Sequence, residues 1–302
     1  MRLWSKLQYF LRNKIKKQAA DSGSQGKYDL PISGNLAADL DYLKKTMGEP
    51  EDLCIRGIEY RGQKLALAFL ETMSDRDTLH RDILPPLTKL IKERLPRDEA
   101  SYIELLRANI HTCELKIERH WSKIISSLLD GSAVLLADGQ RLALLMAIEN
   151  WDKRAIEEPK TEAVIRGPRE GFGEDLPGNI SLIRRRLRTP ELRFESITLG
   201  RRTNTKVVIA YLEGLALEGV LQELRRRLQR IDIDGVLESN YIEELIEEAP
   251  FSPFPQFFRT ERPDVVVGEM LQGRIFIIVD GTPFVIGLPG DLFIFLHAPE
   301  DY

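Results

Sequence analysis

Four histidines, His80, His111, His120 and His297, are the first residues to test for metal or acid–base chemistry. They stand far apart. None has the His-Glu-x-x-His spacing that sets two imidazoles on one helix face. The chain holds no Gly-x-Ser-x-Gly elbow and no phosphate-cradling Walker loop. Gly171-Phe172-Gly173 lacks the preceding strand and third glycine of a dinucleotide fingerprint. Cys54 and Cys113 have no metal spacing and read as free thiols in a reducing compartment, with a single disulfide as the alternative. The residues therefore point to no catalytic set, no metal and no cofactor.

Charge clusters come next. Arg184, Arg185, Arg186 and Arg188 form a basic run, with Arg193, Arg201 and Arg202 nearby. An anion or nucleic-acid face is one reading. Leu182, Ile183 and Leu187 supply an apolar stripe at helical spacing, which predicts arginines on the solvated side of an amphipathic helix. Stacking aromatics are missing apart from Phe194, so no nucleic-acid partner is expected. Glu243, Glu244, Glu247 and Glu248 read as a charged helix face, because no histidine or aspartate converges on them in sequence. The pairs Asp138-Gly139 and Asp280-Gly281 read as type I′ hairpin turns.

Two further candidates concern binding. Arg166 and Arg169 flank Gly167-Pro168 in a stretch dense in Glu, Lys, Arg, Pro and Gly, Trp151 to Asp175. Arginines there would hold a ligand carboxylate by bidentate hydrogen bonds. The other reading pairs them with Glu162, Glu170, Glu174 and Asp175, which would set the angle between flanking domains. Phe254, Phe257 and Phe258, in the proline-rich loop from Pro250 to Phe258, would bind a partner through their aromatics or fold back on their own domain.

The elements that must position these residues occur twice. KLALAFLETM (Lys64 to Met73) recurs as KVVIAYLEGL (Lys206 to Leu215), 142 positions later. LDGSAVLLADGQRLAL (Leu129 to Leu144) recurs as LQGRIFIIVDGTPFVI (Leu271 to Ile286) at the same offset. Two independent matches with one offset argue for a duplicated unit. SYIELL (Ser101 to Leu106) matches NYIEEL (Asn240 to Leu245) 139 apart, and Gly34-Asn35-Leu36 with Gly178-Asn179-Ile180 are read as opening the copies, 144 apart. Each unit reads as helix, hairpin, helices, hairpin. The fold class is α/β: two homologous mixed α/β lobes from a tandem duplication, each a small mixed sheet of about four strands with packed helices. The expected organisation is 1–29 a basic amphipathic helix and flexible connector, 30–150 the first lobe, 151–175 the linker, and 176–302 the second lobe.

Composition agrees. The chain has 302 residues, 43% hydrophobic and 30% charged, enough for two modest cores. A net charge of −4 recruits no polyanion by bulk electrostatics. No apolar run reaches the roughly 18 residues a bilayer span needs. Met1 to Ala20 carries six Lys or Arg and no acid, with Leu3, Trp4, Leu7, Phe10, Leu11 and Ile15 at helical spacing. This segment reads either as a helix on an anionic membrane surface or as a mobile or partner-docked terminal helix.

Several phrases carry a family resemblance: WDKRAIEEPKTEAVIRGPREGF (Trp151 to Phe172), NISLIRRRLRTPELRFE (Asn179 to Glu195), IDIDGVLES (Ile231 to Ser239), PFSPFPQ (Pro250 to Gln256), ERPD (Glu261 to Asp264), VDGTPF (Val279 to Phe284) and PEDY (Pro299 to Tyr302). On these residues the chain resembles the A subunit of the GerA family of spore germinant receptors, from about Leu30 onward. Gly173 departs from the small polar residue the family tends to carry. The resemblance implies a soluble amino-terminal domain of a polytopic membrane protein, so that this chain is a truncated portion and membrane helices follow it. It implies assembly with B and C subunits in the spore inner membrane, with this domain on the core side, and a response to small-molecule nutrients. It carries over no catalytic residue. A homo-oligomer of A subunits is a further expectation from the two lobes and their opposed charge clusters.

Overall fold

The structure, a computed structural model, describes residues 28–92, 95, 96, 98–110, 114–149, 168–247 and 256–290. In the first lobe, α1 (Leu36–Met47) precedes the hairpin β1 (Leu53–Tyr60) and β2 (Gln63–Leu70). A helical turn α2 (Arg76–Thr78) runs through a π-helical turn (Leu79–Ile83) into α3 (Leu84–Leu90). Then come α4 (Glu99–Asn109), β3 (Leu115–Glu118), α5 (Trp121–Leu129), β4 (Ala133–Ala137) and β5 (Ala143–Met146). The second lobe runs α6 (Leu176–Arg186), β6 (Leu192–Leu199), β7 (Thr205–Leu212), α7 (Glu218–Leu228), α8 (Ser239–Ile246), β8 (Phe258–Thr260), α9 (Pro263–Met270), β9 (Ile275–Val279) and β10 (Val285–Leu288).

The sheet orders are β1-β2-β4-β5-β3 and β6-β7-β9-β10-β8, the same wiring twice. Every pairing is antiparallel, and each sheet has a fifth strand beyond the four the pattern marks. Strands β3 and β8 escape sequence reading because they are only four and three residues long and carry Lys116 and Arg259 at their centres. Helices cover both faces of each sheet. That is why Lys64–Leu70 and its copy show no inside–outside alternation: six consecutive residues are buried in each of β2 and β7. Each lobe has two apolar layers. In lobe one, α3 and α4 pack with Leu65, Leu67 and Leu135, while α1 and α5 pack with Ala66, Ala68 and Val134 on the other face. Lobe two repeats this with α7 and α8 on one face and α6 and α9 on the other.

The copying reaches individual hydrogen bonds. Ile32 N–H donates to Arg119 O at 2.9 Å, and Phe172 N–H to Glu261 O at 2.8 Å. Asp39 Oδ1 accepts from Ser33 N–H at 3.0 Å, as Asn179 Oδ1 does from Gly173 N–H at 2.8 Å. Asn35 caps α1 through Ala38 N–H, and Asp175 caps α6 through Gly178 N–H. The equivalent of Asn35 is thus Asp175. Asn179 lies inside its helix, so the Gly-Asn match does not open both copies as read from sequence.

The Asp-Gly pairs also differ from expectation. Only the glycines take positive φ, +83° at Gly139 and +86° at Gly281, whereas a type I′ turn needs both central residues there. The aspartates instead reach across the lobe. Asp138 Oδ1 accepts from Leu36 N–H at 3.2 Å and Asp280 Oδ1 from Leu176 N–H at 3.3 Å, satisfying first-turn donors of α1 and α6.

The helices after the first hairpin depart from the repeat. Buried positions are Leu79, Ile83 and Leu87 in lobe one, but Leu221, Leu224 and Leu228 in lobe two. Lobe one carries one extra residue between the first two, and the π-helical turn absorbs it. In α4 and α8, burial pairs Tyr102 and Leu106 with Ile242 and Ile246. The similar letters Tyr241 and Leu245 lie one step round the helix and are 43% and 45% exposed.

Candidate functional site

The lobes meet along α6. Ser181 and Arg184 stand at i and i+3 on one stripe of the helix, and Arg188 follows just past its end. All three reach lobe one. Ser181 Oγ lies 3.7 Å from Met73 Sδ, Arg184 pairs with Asp52, and Arg188 Nη1 donates to Asp130 Oδ1 at 2.7 Å. The adjacent stripe, including Ile180 and Ile183, packs into the core of its own lobe.

Arg184 is the centre of this junction. Its Nε and Nη2 donate to Asp52 Oδ2 and Oδ1 at 2.6 and 2.7 Å, a bidentate pair. Thr72 Oγ1 donates to the same carboxylate at 2.8 Å. The side chains of Arg184 and Asp52 are 1% and 3% exposed. The guanidinium also lies over the Phe194 ring, 4.9 Å from its centroid. Two nitrogens, Arg184 Nη1 and Arg185 Nε, are buried without a hydrogen-bond partner among the described residues. The sequence reading placed this basic run on the solvated side of α6. Arg184 departs from that, because lobe one covers its side of α6; Arg185 and Arg186 are half-buried, and Arg188 stays exposed.

A second arginine locks the end of α1. Arg193, at the start of β6, donates from Nη1 to the carbonyls of Met47, Thr46 and Pro190, and from Nη2 to Glu213. The last carbonyls of a helix are unsatisfied and carry its negative pole, so a guanidinium fits there. Gly48 terminates α1 at φ +72°, and a Cβ at that position would overlap the Arg193 guanidinium. Lys206–Glu51 at 3.1 Å and Tyr28 Oη to Glu191 Oε1 at 2.7 Å complete the seam. Lobe two supplies the cations and lobe one most of the acceptors, which fixes one relative orientation.

Several other charges from the sequence clusters are absorbed locally. Arg201 and Arg202 pair with Asp232 and Asp234. Glu243 takes both nitrogens of Arg259 at 2.6 Å. Glu195 accepts from Arg225 at 2.8 and 2.5 Å and from Tyr211 at 2.6 Å. Burial alone would raise the Glu195 carboxyl, but these bonds outweigh it and hold it below the usual carboxylate range. Burial first, then the Glu195 contact, pushes the Tyr211 hydroxyl up. No group of three or more metal-ligating residues occurs among the described residues.

Of the sequence candidates, Arg166 and Phe254 lie outside the described residues. Arg169 is exposed at the start of lobe two, while its neighbour Glu170 pairs with Arg186. Phe258 enters β8, where its ring meets Phe276 edge-on at 5.6 Å. Phe257 is half-buried against the α7–α8 layer. Sequence reasoning missed Asp52 altogether. The available signal was Ser181 and Arg184 at i and i+3, a polar pair beside the apolar positions of α6.

Two duplicated, antiparallel α/β lobes held by a buried cross-lobe ion pair define a paired-lobe module. Comparison with known proteins places it. The family model for the Bacillus/Clostridium GerA spore germination protein matches residues 41–302. This chain belongs to that family. It is 39% identical over 274 residues to spore germination protein KA of Bacillus subtilis, covering 90% of this chain and 50% of that protein. It is 38% identical to the uncharacterized membrane protein YfkQ of Bacillus subtilis, covering 91% and 53%. The chain thus spans about half the length of the curated relatives it matches. Among solved structures, the N-terminal domain of the A subunit of the Bacillus megaterium spore germinant receptor GerK3 superposes with a TM-score of 0.68 at 33% identity, over 87% of this chain and 98% of that one. No helix among the described residues is long and apolar enough to cross a membrane.

Proposed function

We propose that this chain is a non-enzymatic signalling module of a germinant receptor A subunit. It couples the state of a nutrient ligand or partner to an attached membrane assembly through the angle between its lobes. The carrying observation is the buried Asp52–Arg184 pair, which bridges two separately cored lobes. A buried ion pair contributes little net stability but makes departures from its geometry costly. It therefore suits a two-state junction better than a continuously flexible one. The unpartnered Arg184 Nη1 supports the same reading, since a second lobe arrangement could satisfy it. The proposed partners are the B and C subunits of the receptor, at the spore inner membrane with this domain on the core side.

A second reading, an oligomerisation scaffold, rests on opposed charge patches, the Arg184 to Arg202 region and the Glu243 to Glu248 face. Arg184, Arg201, Arg202 and Glu243 already have partners within the chain, which favours the coupling reading over it. Small-angle scattering and inter-lobe distances, measured with B and C subunits and a panel of amino acids and sugars, test the coupling. A lobe separation that shifts under one condition supports it. One unchanged under all of them reduces the module to a static scaffold.

A further inference from the structure

A groove of about 500 Å³ runs along lobe one between the edge strand β1 and the α3 helix. Arg56, His80, Leu84, Pro85, Thr88, Lys89 and Lys92 line it. No carboxylate lines it among the described residues, and Arg56, Lys89 and Lys92 form no ion pair there. This is unusual in a chain of net charge −4 whose other arginines are mostly paired.

The duplication shows what is special about it. Arg56 faces Leu67 across the β1–β2 ladder, and Glu195 faces Ile209 across β6–β7. Leu67 and Ile209 are repeat partners, so Arg56 and Glu195 occupy one structural position. In lobe two that position is neutralised internally, because Arg225 of α7 grips Glu195. In lobe one the π-helical turn shifts the helix by one residue and brings Leu84 to the place of Arg225. Pro85, Thr88, Lys89 and Lys92 then follow at i, i+3, i+4 and i+7, a cationic stripe facing a cationic strand residue. Like charges gathered in one groove repel, and a bound anion relieves that repulsion.

We propose that this groove binds a phosphate-bearing group. Arg56 offers a planar two-nitrogen fork, Lys89 and Lys92 offer point charges, and the Thr88 hydroxyl offers a further donor. Leu84 and Pro85 form an apolar floor for the organic part of the ligand. Three permanent cations suit a dianion better than a single carboxylate. The source is either a phosphorylated solute or the headgroup of an anionic lipid, and the test separates them.

Calorimetric titration of the whole chain with pyrophosphate at low salt probes the first source. Co-sedimentation with phosphatidylglycerol vesicles, against phosphatidylcholine vesicles, probes the second. Saturable binding of either probe is expected, weakened about tenfold or more by Arg56→Glu and by Lys89→Glu/Lys92→Glu. Lys123→Glu, on an exposed lysine of α5, should bind as the parent does. Every substituted side chain is exposed, and thermal melts verify that each variant folds. Pyrophosphate binding alone assigns a free solute; vesicle binding alone assigns a headgroup. Binding of neither probe overturns the proposal. So does binding that the groove variants leave intact, which would place vesicle attachment elsewhere, or that Lys123→Glu lowers equally. None of these outcomes depends on the lobe-angle reading.

Discussion

Replacing Asp52 with Ala would leave Arg184 as a buried cation with no counter-charge. Arg184 is 1% exposed, and two of its nitrogens give charge-assisted bonds of 2.6 and 2.7 Å to that carboxylate. Removing one partner of such a pair costs about 3–5 kcal/mol, most of it the penalty of the orphaned charge. Thr72 Oγ1 loses its acceptor too, which adds roughly 1 kcal/mol. For a chain of this size that lowers the melting midpoint by roughly 6–12 °C. The penalty falls on the junction and not on either core, so the lobes can avoid it by separating. Spin labels at Lys116 and Arg202, exposed on lobe one and lobe two, should therefore show a broader distance distribution in the variant. The double variant Asp52→Ala/Arg184→Met removes charge from both sides and should recover most of the loss, to within about 1–2 kcal/mol of the parent. A single-variant cost below about 1 kcal/mol, or a double variant as unstable as the sum of its parts, refutes the view that this pair holds the lobes.

Three further outcomes follow from the same contacts. Gly48→Ala forces a side chain into a left-handed position and against Arg193, so chemical denaturation should show a loss of about 1–3 kcal/mol. Asp138→Ala and Asp280→Ala each strip a first-turn acceptor from α1 or α6; each should cost about 1 kcal/mol, and a much larger loss in one lobe would contradict their equivalence. Glu195 has a folded carboxyl held below its ordinary value, so its contribution is present above pH 4.5 and disappears as pH falls through the lower folded value. Acid melts of Glu195→Gln should therefore be flatter below pH 4.5 than those of the parent, and identical slopes would show that the Arg225 contact does not form in solution.

The duplication was legible in the letters because both copies keep six consecutive buried residues in their second strands and the same turn glycines. Local chemistry was legible too. Asn35 and Gly48 bound α1, and Pro263 opens α9, since caps and prolines act within one turn of chain. Strands β3 and β8 were not legible, for they are short, charged at the centre, and held only by β5 and β10. Nor was the register of α8, where similar letters sit one step away from the buried face.

The sequence by itself determined two copies of one fold, most of their helices and hairpins, and the family to which the chain belongs. Tertiary structure alone decided which arginines are structural. Arg184 and Arg186 are neighbours in one basic run, yet the first is buried against Asp52 and the second stays near the surface with Glu170. It also decided that Arg56 stays unpaired while its repeat partner Glu195 is neutralised. Charge pairing depends on what another segment, more than a hundred residues away in the case of Asp52, brings within 3 Å, and no local spacing encodes that.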